Sequence, residues 1–134
     1  MKLFEMQADM KLTEMQLEIM RVLWESESPL TASEIIARSA DRTWKENSIF
    51  NMLHSLQRKG AVALDHYKPT VTKSARVYRA TLSAEEYAAM RVFDSKPNLV
   101  ELFRAVVKNK VLDKETKEKL HQVVSEIESA KEEE

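Results

Sequence analysis

Apolar residues recur along this chain with a helical period, switch to alternation, and then return to the helical period. Leu17, Met20, Leu23 and Trp24 form the first stripe, which predicts a helix from about Glu14 to Ser26. Ile35 and Ile36 mark a short second helix ending near Ala40. Ile49, Met52, Leu53 and Leu56 then fall at i, i+3, i+4 and i+7, inside a third helix spanning Thr43 to Gly60. Beyond Gly60 the pattern alternates over residues 61–67 and again over 76–82, which predicts two strands joined by a polar, basic loop at 68–75. Three more helices follow. One runs from Ser83 to about Phe93, one begins at Pro97 and carries Leu99, Leu102, Phe103, Val106 and Val107, and one behind Asp113 carries Leu120, Val123, Val124 and Ile127.

Starts and stops are written beside these stripes. Thr13 with Gln16, Thr31 with Glu34, Thr43 with Glu46 and Ser83 with Glu86 have the three-residue spacing of a capping box, in which each side chain satisfies a backbone N–H near the other. Leu12 with Leu17, Leu30 with Ile35, and Leu82 with Tyr87 have the spacing of a hydrophobic staple around three of those boxes. Gly60, the only glycine, follows Arg58 and Lys59, as suits a helix end that needs a left-handed residue and favours nearby cations. The leader is expected to pack Leu3, Phe4 and Met6 on the domain or on a partner, and Lys131 to Glu134 are expected to fray.

Two tightly joined helices followed by a hairpin predict a fold that is mainly α with a small β-hairpin wing. The expected organisation is a winged helix-turn-helix over residues 1–82 and a C-terminal helical region over 83–134. The tail helices carry more apolar surface than one chain of this length can cover, and a second copy is the simplest cover. Dimerisation is accordingly expected through Leu99, Leu102, Phe103, Val106, Leu120, Val124 and Ile127.

The third helix carries the chemistry. Opposite its apolar stripe lie Asn47, Asn51, His54 and Arg58, with Ser48 and Ser55 on one flank and Phe50 on the other. Short amides, hydroxyls, an imidazole and a guanidinium are the groups that read base edges and phosphates in a major groove, whereas an ordinary solvated face is mostly Glu and Lys. Asn47, Ser48, Asn51 and His54 are therefore the candidate contacts to bases or backbone, flanked by Lys45 and Arg58 on phosphates. Lys68, Lys73 and Arg76 on the hairpin form the candidate wing contact.

Composition sharpens this. The chain holds 21 basic and 22 acidic residues, but between Arg38 and Arg79 nine Lys and Arg face three Asp and Glu, about +6 there against about −7 elsewhere. With no cysteine, disulfides, thiolate metal sites and cysteine nucleophiles are excluded, and His54, His66 and His121 are too scattered to suggest a metal site. No cofactor is expected. No Gly-rich phosphate loop, paired carboxylate in an apolar setting or nucleophile beside a base points to an enzyme. The opening MKLFEMQADMK has acidic and polar residues where a signal peptide needs an unbroken apolar run, and no stretch reaches membrane-spanning length, so a cytoplasmic protein without membrane insertion is expected.

Taken in order, Leu12-Thr13-x-x-Gln16-x-Glu18-x-Met20-x-x-Leu23-Trp24, Thr31-x-x-Glu34-Ile35, Ser48-Ile49-x-Asn51-x-Leu53-x-x-Leu56-x-x-Lys59-Gly60 and the hairpin ending in Tyr78 resemble the penicillinase-repressor family, the BlaI/MecI group with its CopY relatives. The resemblance covers essentially the whole chain. It implies a homodimeric transcriptional repressor that binds a pseudo-palindromic double-stranded DNA operator, and an upstream sensor or protease as a further partner. It also implies that Ser48 and Asn51 take the place of family threonines near bases and phosphates, while Ser55 stands where arginine is usual. Because Ser55 and Phe50 depart from the common helix pattern, the operator sequence does not carry over. Leu102-Phe103 aligns with the Asn-Phe bond cut in β-lactam-responsive members, a further departure, and copper sensing is not expected without cysteines. The competing expectation, favoured by the near-neutral total charge, is a winged-helix module whose target is another protein.

Overall fold

A computed structural model describes residues 11–109 and 112–130. Expectations for Leu3, Phe4 and Met6, and for the fraying of 131–134, lie outside the described residues. The elements are α1 (Glu14–Glu25), β1 (Leu30–Thr31), α2 (Ala32–Ala37), a 3-10 turn (Glu46–Ser48), α3 (Ile49–Lys59), β2 (Val62–Pro69), β3 (Ser74–Ala80), α4 (Ala84–Asp94), α5 (Leu99–Lys108) and α6 (Lys114–Ala130). The chain divides into two compact units between Asp94 and Ser95.

In the first unit, the polar starts seen in the sequence are formed as hydrogen bonds. Thr13 and Gln16 exchange bonds of 3.1 Å each at the head of α1. Thr31 and Glu34 do the same at α2 with 2.9 and 3.2 Å, and Ser83 and Glu86 at α4 with 2.9 and 3.0 Å. At α2 the Thr31 N–H is the main reason the Glu34 carboxyl sits below its ordinary pKa, since that bond favours the ionised form. The Thr43–Glu46 box does not form. Thr43 N donates instead to Glu18 on α1 at 3.1 Å, and Glu46 accepts from Arg42 at 2.9 Å. The reason is Trp44, which is only 4% exposed. Its burial pulls this segment inward, so α3 starts later, behind the 3-10 turn.

The core gathers Leu12, Ile19, Met20, Leu23, Leu30, Ile35, Trp44, Ile49, Leu53, Leu56, Val62, Tyr78, Leu82 and Met90. Burial on this scale, at about 25 cal/mol per Å² of apolar surface, is what holds four short helices and a small sheet together. Ile19 is buried, while Leu17, Trp24 and Met52 from the expected stripes are only half-buried.

The sheet has three strands in the order β1-β3-β2, all antiparallel. Leu30 and Thr31 pair with Tyr78 and Val77, so the residues that cap α2 also add a strand to the wing. The hairpin is tighter than expected, because β2 reaches Pro69 and β3 starts at Ser74. Pro69 is tolerated since β2 is an edge. An irregularity between Leu64 and His66 leaves Asp65 as the extra residue of a bulge, where it meets His66 at 2.6 Å and Arg79 at 3.4 Å.

Helix α4 belongs to the first unit, not to the C-terminal region expected over 83–134. Met90 is buried in the core, the Tyr87 hydroxyl accepts from Leu12 N at 3.1 Å, and Trp24 lies 6.3 Å from the Tyr87 ring. Trp24 Nε1 donates to the Leu82 carbonyl at 2.7 Å, which fastens the start of α4 to α1. In the second unit Asn98 caps α5 through Glu101 N at 3.1 Å, and Asp113 caps α6 through Thr116 N at 2.7 Å.

Candidate nucleic-acid interface

Helix α3 is bounded on one side by its core contacts, with Ile49, Leu53 and Leu56 buried. Its far end stops at Gly60, whose φ of +80° is the left-handed conformation a Cβ would strain. Space is not the constraint there, since nothing lies within 4 Å of a Cβ built on Gly60. The helix is also held against α1 by a polar joint. Gln16, 6% exposed, accepts from Lys59 Nζ at 2.7 Å and donates to Ser55 Oγ at 3.0 Å, while Lys59 also donates to the Lys11 carbonyl at 2.9 Å. Ser55 and Lys59 are thus taken up inside the domain, and the last-turn cation of α3 that remains outside is Arg58.

The opposite side is exposed. Asn47, Asn51, His54 and Arg58 all face solvent, as does Lys45 ahead of the helix, and no partner engages any of these side chains among the described residues. Ser48 is different, because it is half-buried and its hydroxyl donates to the Lys45 carbonyl at 2.6 Å, which leaves only acceptor lone pairs facing out. Phe50 stands on this side at 61% exposure.

The wing lies beside the start of α3. Phe50, Tyr67, Thr70, Lys73, Ser74 and Arg76, with Thr31, Ala32, Ser33 and Ala75, line an open cleft of about 500 Å³. The three wing cations are not equivalent. Lys73 extends from a turn closed by Thr70 N donating to the Lys73 carbonyl at 2.7 Å, and no partner engages its ammonium among the described residues. Lys68 stands 3.8 Å from the Glu34 carboxylate. Arg76 donates toward the Tyr67 hydroxyl and then that of Tyr78, which together hold its pKa above the ordinary guanidinium value. Its charge is permanent in any case, so what the tyrosines supply is direction.

This surface is a row of donors and acceptors, unpaired among the described residues, along α3 and the 3-10 turn before it, with cations at both ends and a basic hairpin alongside. Among the described residues, no group of three or more His, Cys, Asp or Glu is placed to hold a metal ion. A family described as Penicillinase repressor matches the chain over residues 12–126. The chain belongs to the penicillinase-repressor family. It is thereby a winged-helix, DNA-binding transcriptional regulator of the repressor type and not an enzyme. No curated protein matches the chain closely enough to count as a relative.

Among solved structures, the chain resembles the Vibrio cholerae ferric uptake regulator at 18% identity and a TM-score of 0.43, over 55% of this chain and 56% of that one, so it spans little more than half of that protein. A PadR family regulator from Eggerthella lenta matches at 20% identity and a TM-score of 0.42, over 71% of this chain and 82% of that one. A Staphylococcus aureus MepR mutant bound to an oligodeoxyribonucleotide matches at 17% identity and a TM-score of 0.42, over 96% and 86% of the two chains. At this level the likenesses say nothing about ligand or partner.

The exposed face of α3 and the wing cations are legible in the sequence. What separates Lys73 from Lys68 and Arg76 is not, because the partners of the latter two come from α2 and from across the hairpin, and neither is the place of Tyr67. Tyr67 is 57% exposed and pairs in register with Arg76, a contact set by strand register rather than by spacing along the chain.

In the second unit the apolar stripes are open. Leu99, Val100, Phe103, Val106 and Val107 of α5, and Leu120, Val123, Val124 and Ile127 of α6, are all exposed, and Leu102 is half-buried. Among the described residues, no helix is long and apolar enough to cross a membrane.

Proposed function

We propose that this member of the family is a homodimeric repressor that places α3 in the major groove of each half of a pseudo-palindromic operator, in the cytoplasm. Asn47, Asn51 and His54 meet base edges, with Ser48 accepting at the flank. Lys45 and Arg58 hold phosphates on either side, and Lys68, Lys73 and Arg76 bring the wing to the neighbouring backbone. The observation that carries this is the outward face of α3 and the 3-10 turn ahead of it, where Asn47 of the turn and Asn51, His54 and Arg58 of the helix stand exposed and, among the described residues, unengaged, while Ser55 and Lys59 of α3 are used internally. Dimerisation runs through α5 and α6, by Leu99, Leu102, Phe103, Val106, Leu120, Val124 and Ile127. Two copies also account for a two-fold operator, since half-site spacing mirrors protein symmetry.

The test is binding to the DNA upstream of the protein's own gene, at two salt concentrations, beside a variant carrying N51A and K73A. The expected result is tight binding that falls steeply with salt through counterion release and is lost in the variant. Binding no stronger than to random DNA, and unchanged in the variant, would overturn the proposal and favour a protein target.

A further inference from the structure

Phe50 is a large apolar side chain standing 61% exposed on the surface of the helix proposed to face DNA. It lies one turn before His54 and next to Asn51 in the chain, on the edge of α3 that looks toward the wing. Its stripe continues as His54 and Gln57, both polar and exposed, so no other exposed large apolar side chain stands on α3 beside it. Tyr67 forms part of the same cleft, and Lys73 and Arg76 line it too, so Phe50 stands within one cleft with two cations suited to a phosphate strand.

On a major-groove floor, the one apolar group that distinguishes a base pair is the C5-methyl of thymine. The amides and the imidazole of α3 account for hydrogen-bonding edges, and none of them selects a methyl. We propose that Phe50 reads one thymine methyl in each half-site, at the wing-side edge of the sequence that α3 contacts. This rests on the operator-binding function proposed above and assigns a specificity to that same surface. It also accounts for why a phenyl ring is left in water in the free protein.

The experiment takes the footprinted segment of the protein's own upstream DNA and replaces each thymine singly by deoxyuridine, which removes the methyl and leaves every hydrogen-bonding group. Wild-type protein, Phe50→Ala and Phe50→Leu are titrated against the series. Wild type is expected to lose about fourfold in affinity at one thymine per half-site, the worth of one buried methyl group. Phe50→Leu keeps most of that discrimination. Phe50→Ala binds the thymine duplex more weakly and no longer distinguishes uracil at that position. Phe50 is exposed, so the alanine variant is expected to keep its fold, which a urea midpoint and slope matching wild type verify. Specific binding by wild type in which no thymine is felt differently by wild type and Phe50→Ala would overturn the assignment while leaving the operator function standing. Absence of specific binding by wild type would overturn both.

Discussion

At the scale of single residues, what separates the side chains of α3 is who already holds them. Asn51 has no partner among the described residues, and its removal is expected to cost about 1–3 kcal/mol of operator binding and to relax specificity at one base pair, measurable by competition with single-base operator variants. Lys73 and Lys68 are predicted to behave differently although both are wing lysines. Lys73→Ala should lower the salt slope of binding by about one unit while weakening all sequences alike. Lys68→Ala should lower it less, because its ammonium already lies 3.8 Å from Glu34. Equal slopes for the two variants would show that the Glu34 contact opens on DNA. The outward positions of Asn51, His54 and Arg58 were legible from helical periodicity alone, because position on a helix face depends only on count. Asn47 is exposed as well, but from the 3-10 turn ahead of α3, where that count does not apply. The internal use of Ser55 and Lys59 was not, since their partner Gln16 sits 39 and 43 residues earlier in the chain.

At the scale of elements, helix ends follow local chemistry wherever no distant residue competes. The boxes at Thr13, Thr31 and Ser83 formed as spacing predicts, and the one at Thr43 gave way because Glu18 offered a rival partner and Trp44 had a core to enter. Gly60→Ala is expected to destabilise the domain by about 1–2 kcal/mol through the left-handed backbone, read as a lower urea midpoint with an unchanged slope. The α2 start has a pH signature. Glu34 has a folded-state pKa below its unfolded value, so its contribution is fully present above the unfolded pKa, ~4.3, and is lost as pH falls through the lower folded value. Urea midpoints of wild type and Glu34→Gln, compared at neutral pH and below that pKa, should converge as the pH falls. Persistence of the full difference in acid would place the effect elsewhere.

At the scale of the whole molecule, the open stripes of α5 and α6 are the features a second copy is proposed to cover. Phe103→Glu and Ile127→Glu, at side chains 62% and 63% exposed, are expected to leave the first unit folded while shifting sedimentation to the monomer and weakening binding to a two-half-site operator far more than to a half-site. Unchanged sedimentation would remove these helices from the interface. The sequence by itself determined the period of every helix, the place where the period changes to alternation, most helix starts and the one glycine stop, because these depend on residues within one or two turns of each other. The tertiary structure decided what depends on distant pairs. Leu30 and Thr31 became a third strand only because β3 lay beside them, for two residues are too few to show an alternation of their own. Likewise α4 joined the winged-helix core because Trp24 and Leu12 offered it an indole and a backbone N–H, and no count along the chain records which surface such groups will meet.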